Sequence, residues 1–261
     1  MDPLTQGVLG VSLSQSASKK QHLVVAGVLG LLSGLAPDLD ALIKSQSDPL
    51  LALEFHRQFT HSLFFIPILV LLVFATLKRA PWLARVAFTW ALIYPTLGMI
   101  QRDRAEAIGW QLAQERQHTP IRLEAKPSFA NILVWKVVYE TEAHYHVDAV
   151  RVGTSVSTYP GESIAKLNVS RDLPWLDPDS QQAEDIERFR WFSNGYIAQD
   201  PTDELRIIDV RYSIVPNQMK ALWSIKLSKA VDANAHVKYE THRDNTPESR
   251  QIFFDMLTGD K

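Results

Sequence analysis

Hydrophobic positions along this chain follow two different rules. In the first hundred residues they gather into three stretches without a charged side chain: Gln21 to Pro37, Ser62 to Leu77, and Val86 to Gln101. The middle one, SLFFIPILVLLVFATL, is apolar on every side, and Lys78 and Arg79 follow it at once. A helix crossing the hydrocarbon core needs about 20 apolar residues, and terminal Lys or Arg can snorkel to extend a slightly shorter run. The stretches predict an α-helical membrane domain of about three spans over residues 1–101. The alternative, three buried helices of a soluble protein, would demand a large core elsewhere. Lys19 and Lys20 ahead of the first run, and Gly34-Leu35-Ala36 behind it, have the look of a cleavable leader. Its polar lead is long and Pro37 follows directly, so the run is read as a retained span.

From residue 102 the periods are those of a soluble α+β domain, 102–261. RDRAEAIGWQLAQERQ predicts a polar helix with Ile108 and Leu112 on one side. Strand-like runs follow in NILVWKVVYET, YHVDAVRVG, ELRIIDVRYSIV and KALWSIKLSK. AEDIERFRWF predicts a helix between them, and PESRQIFFDML another, with Pro247 near its start.

Charge sharpens this division. Residues 1–100 hold 12 charged side chains and residues 101–261 the other 44. The net charge of -2 argues against nucleic acid as a partner, because phosphate neutralisation needs a basic excess. The absence of Cys excludes disulfides, thiolate-bound zinc and a thiol nucleophile. Lys19 and Lys20 precede the first stretch, and Lys78, Arg79 and Arg85 lie between the second and third. The positive-inside rule puts both clusters in the cytoplasm and 38–61, with the region after 101, outside. The lipid bilayer is the expected partner of this part of the chain.

Candidate chemistry begins where the first apolar run stops. LSGLAPDLDALI sets Asp38 and Asp40 beside a helix-breaking proline. Two carboxylates two residues apart can converge on one cation, or simply form a helix-ending turn at the water interface. FHRQFTHSLFF then brings His56 and His61 to the start of the longest apolar stretch. Their spacing of five is about 140° off on a helix, so they are not the one-turn pair of a helical zinc motif. Neutral imidazole is a common metal ligand, and Arg57, Thr60 and Ser62 could support the ligands or hold an anionic substrate. Taken with Asp38 and Asp40, the two His favour a metal site over an interfacial pair. On a strand, His144, His146 and Asp148 share one face, which suits either a metal or a solvated surface. His236 and His242 carry no pattern, and no glycine-rich phosphate loop or GxSxG is present.

At MDPLTQGVLG, APDLDAL and FHRQFTHSLFF the chain resembles the bacterial membrane-bound metal-dependent hydrolases. The stretch from about residue 70 through LVWKVVYE is also similar to the downstream part of longer members. The resemblance implies a multi-pass protein of the bacterial inner (cytoplasmic) membrane with a divalent metal ion, zinc by preference, on Asp38, Asp40, His56 and His61. It implies an ester or phosphoester substrate of amphiphilic or phosphate-containing kind. Members usually carry a further span with a His and an Asp about a turn apart, whereas residues 62–117 here contain no His. That departure keeps a second expectation open: a non-enzymatic membrane-anchored binding or sensing protein, or an inactive relative of the hydrolases.

Overall fold

The computed structural model describes residues 10, 11, 14, 15, 18, 20–35, 48, 50, 81–129, 131–243 and 246–259. The chain divides into two compact units, Met1–Thr96 and Leu97–Lys261. In the first, a 3-10 turn at Lys20–His22 leads into helix α1, Leu23–Leu35. Ser14 donates to the Ala26 carbonyl at 2.6 Å. The backbone of Gly10 comes so close to Gly30 that a side chain there would collide with its carbonyl.

Helix α2, Pro81–Glu115, begins in the uncharged stretch and runs on through the polar segment, so the boundary expected at 101/102 falls inside one helix. Its residues from 97 onward belong to the second unit. There Ala105, Ile108, Leu112 and Ala113 recur at helical spacing and pack on strands that carry Leu123, Ala125, Trp135, Val137 and Tyr139. Gly109 lies where the helix comes nearest the sheet: a Cβ would stand 2.6 Å from a Val137 methyl.

Two four-stranded antiparallel sheets make up most of this unit, in the orders β1-β2-β3-β4 and β5-β6-β7-β8. The first contains β1 Arg122–Pro127, β2 Val134–Glu140, β3 His144–Val152 and β4 Val156–Ala165. The second contains β5 Ile197–Asp200, β6 Asp203–Asp209, β7 Trp223–Lys226 and β8 Lys238–Thr241. Every residue of β2 is buried, because both its faces are covered. Trp135, Val137 and Tyr139 meet α2, while Val138, with Tyr145, Val147 and Ile164, packs on Tyr196, Ala198, Ile208 and Val210. In the chain, between β4 and β5, come α3, Val169–Asp172, and α4, Gln181–Phe192, the latter capped by the Ser180 side chain. Helix α5, Pro247–Thr258, starts at the Thr246 cap with Pro247 in its first turn, and lays Ile252, Met256 and Leu257 against Val134, Ala149 and Val215.

These findings correct the expected fold class. Among the described residues no helix is long and apolar enough to cross a membrane, so a domain of about three helical spans is not what they form. Helix α1 has 13 residues, about 20 Å at 1.5 Å per residue, against a hydrocarbon core of about 30 Å. Helix α2 is long, but Arg85 interrupts its apolar part and Arg102, Asp103 and Arg104 end it. The run 62–77 lies outside the described residues. In place of the expected α+β domain, the second unit is chiefly antiparallel β structure with helices laid on it. The multi-pass expectation loses its support with the spans.

Candidate functional site

Asp38, Asp40, His56 and His61, together with Arg57, Thr60 and Ser62, lie outside the described residues. Among the described residues no three His, Asp or Glu side chains are grouped so as to hold a metal ion. The side chains that do converge lie where α2 ends over the β2–β3 hairpin.

That convergence begins with the way α2 stops. Gln117 takes a left-handed φ of 59°. The His118 amide reaches back to the Ala113 carbonyl at 2.9 Å and the Gln117 amide to Gln114 at 2.9 Å. This is a Schellman ending built without glycine. It turns Arg116 and His118 onto the sheet face that bears Tyr139, His146 and Asp148. Arg116 donates to both carboxylate oxygens of Asp148, at 2.7 and 2.8 Å, and to the Tyr139 hydroxyl at 3.1 Å. Because a guanidinium can only donate, the Tyr139 O–H is left to serve Nδ1 of His118, 2.9 Å away. The ring of His146 stacks on Tyr139 at 4.8 Å and lies 4.5 Å from His118 and 6.1 Å from His144.

The electrostatics follow from that crowding. Asp148 is wholly buried and balanced by one guanidinium, whose own proton is held more tightly as a result. Burial, reinforced by His118, His144 and Arg116, pushes His146 down to about 4, so the imidazole is neutral at pH 7. A neutral stacked imidazole, a phenol and an exposed His144 make a partly open polar surface. The strand geometry does put His144, His146 and Asp148 on one face, as period two requires, but Arg116 occupies the Asp148 carboxylate that a metal would have needed. His118 and Arg116 were the partners missed in the sequence: Pro120 marks that the helix stops nearby, but nothing in QERQHTP shows onto which strand face its last side chains turn.

Two further polar groups stand inside the unit. Lys136 is fully enclosed between the sheets, donating to Ser213 at 2.9 Å and to the Gln218 carbonyl at 2.8 Å, and burial pulls its pKa down to about 7. His236 meets the buried Asp185 at 2.9 Å, where Asp185 also accepts from the Val237 amide and from Arg188. This joins α4 to the segment before β8. His242 shares a 2.7 Å hydrogen bond with Ser224, but the serine is fully buried and so is unsuited to attack a substrate.

Residues 1–101 match a family model described as YdjM inner membrane protein. The match ends inside α2 and leaves the two-sheet part of the chain outside it. No curated protein and no solved structure matches the chain.

Proposed function

We propose that this protein is a metal-dependent hydrolase associated with the bacterial inner membrane, its reacting centre carried by the N-terminal hundred residues. One coincidence carries the reading. APDLDAL and FHRQFTHSLFF, the motifs that resemble the membrane-bound metal-dependent hydrolases, both fall within the segment that matches an inner membrane protein family. Asp38, Asp40, His56 and His61 would hold the ion. Two carboxylates and two imidazoles are a donor set that suits zinc, and one of the four must yield its place if water is to enter a tetrahedral site. A bound zinc ion supplies Lewis acidity toward an ester or phosphoryl oxygen and acidifies water toward a pKa of about 7. The protein's own part would be to bind the anionic portion of the substrate through Arg57 and to orient the imidazoles through the hydroxyls of Thr60 and Ser62. An amphiphilic, phosphate-containing ester fits both the cation and the membrane.

The test is elemental analysis of the full chain, purified without chelator, beside His56→Ala/His61→Ala and Asp40→Ala variants. About one divalent ion per chain, lost in both variants, is expected, followed by turnover of ester or phosphodiester substrates. Stoichiometric metal retained in the variants would sink the assignment. No metal in any of the three would favour a membrane-anchored binding protein. The observation behind that second reading is the unit at 97–261, which has its own cores and a partly open His–Tyr–Arg cluster.

A further inference from the structure

The second unit begins with an unusual piece of surface. Of its first four residues, three are large, apolar and exposed: Leu97 at 43%, Met99 at 53% and Ile100 at 51%. At 100° per residue these three spread around roughly half of the helix. In the turn after Gln101 the exposed positions are Arg102, Asp103 and Arg104, and Trp110 is the next large apolar side chain to emerge, two turns further on. The change is therefore a level across the helix, not a stripe along it. A partner helix would be met by a stripe. A turn of exposed apolar side chains followed directly by a turn of exposed charged ones is what a boundary between hydrocarbon and water produces.

Other elements reach the same level. Gly98 lies 3.8 Å, measured from its would-be Cβ, from Ile132 in the β1–β2 loop, and Phe129 of that loop is 68% exposed. Gln101 donates to the Val152 carbonyl at 2.6 Å and Arg104 to the Gly153 carbonyl at 3.1 Å, which brings the β3–β4 turn alongside. Among the described residues the hydrogen-bond partners of Arg104 are the neutral oxygens of Gln101 and Gly153. Its charge is thus available to an anion at the rim of the apolar patch.

We propose that this end of the unit is seated on the lipid surface, with Leu97, Met99, Ile100 and Phe129 entering the acyl boundary and Arg104 meeting anionic headgroups. The proposal rests on the inner-membrane placement given above, to which residues 97–100 belong by the family match. It adds that the β-rich unit docks on the bilayer at one defined end, whatever chemistry the N-terminal segment performs.

The chain has no Cys, so single cysteines can report position. Phe129→Cys and, as a second site, Met99→Cys would each carry an environment-sensitive fluorophore. Glu142→Cys, in the turn at the far end of β2, is the control. The full chain is reconstituted in phosphatidylethanolamine–phosphatidylglycerol vesicles, and flotation first establishes that it is membrane-bound. Brominated acyl chains should quench the 129 and 99 labels at least about twofold more than the label at 142, and Arg104→Glu should weaken quenching at 129. Equal quenching at all three sites in chains that float would overturn the docking surface and leave the membrane placement standing. Failure to float would overturn both. Energy transfer between labelled copies at 129, in place of lipid quenching, would assign the patch to a second copy and also overturn it.

Discussion

Asp148 shows how much of this structure turns on single contacts. Its carboxylate is wholly enclosed, and its charge is met by both guanidinium nitrogens of Arg116 and by the Gly161 amide at 3.1 Å. Removing one member of such a set leaves the other charge poorly compensated. Asp148→Asn should therefore cost about 3 kcal/mol in urea unfolding, and a loss below about 1 kcal/mol would show that solvent reaches Arg116 freely. The neighbouring His146 gives a pH signature. Its folded-state pKa of about 4 lies below the ordinary 6.5, so the unfolded chain binds the proton first as pH falls. Stability from the neutral ring is complete above pH 6.5 and is lost progressively down to about 4. Because the ring is partly exposed, screening reduces the effect to about 1 kcal/mol. His146→Gln should flatten the fall in melting temperature between pH 7 and 4.5, measured beside the parent chain; parallel curves would refute the assignment. Period two alone made the shared face of His144, His146 and Asp148 legible. The identity of their partners was not, because Arg116 and His118 arrive through a helix ending formed by Gln117, a residue with no preference for left-handed backbone.

At the level of elements, the strands expected from the sequence are the central ones. NILVWKVVYET and YHVDAVRVG contain β2 and β3, and ELRIIDVRYSIV and KALWSIKLSK contain β6 and β7, each flanked by a strand on both sides. The four not foreseen, β1, β4, β5 and β8, are all edges. Edge strands are short or polar for a physical reason, since an apolar edge invites pairing with another chain. RLEAKP alternates charge with small residues, and VSTYPGESIA carries Pro160 and Gly161, which an interior strand tolerates badly. Two of the apolar runs of the first hundred residues misled for the opposite reason: their composition resembles that of membrane spans, whereas the described helices α1 and α2 are too short or too interrupted to be spans. Where α2 does meet the sheet, the fit depends on the missing side chain at Gly109. Alanine usually stabilises a helix interior by about 1 kcal/mol over glycine. Here a methyl would meet Val137 and Leu123 at 3.0 Å or less. Gly109→Ala is expected to be destabilising by about 1–3 kcal/mol, read as a lower urea midpoint; a gain in stability would mean that the helix can lift from the sheet without cost.

Across the whole molecule, the proposed chemistry and the described architecture fall on different lengths of chain. The first hundred residues carry 12 of the 56 charged side chains, the motifs on which the proposed site rests and the similarity to an inner membrane protein family. Among the described residues, the remainder carries both sheets and three apolar clusters, whose buried members run from Ala105 to Met256. A ligand stabilises only the structure that it binds, and Asp38, Asp40, His56 and His61, the proposed ligands, lie in the N-terminal segment outside the described residues. Stripping the chain with a chelator should remove any bound ion while leaving the urea midpoint of the β-sheet signal unchanged. Val138→Ala should do the reverse: it opens a cavity between the sheets and should cost about 2 kcal/mol, with metal content intact. The decisive comparison is the pair of measurements on the same preparations, circular dichroism through the unfolding transition and metal per chain. A midpoint that falls on chelation would put a structural ion inside the β-rich unit and move the search for ligands to His118, His144 and His146. A midpoint that holds while metal leaves would keep the ion with the N-terminal motifs, where the carboxylates and imidazoles of the proposed site are found.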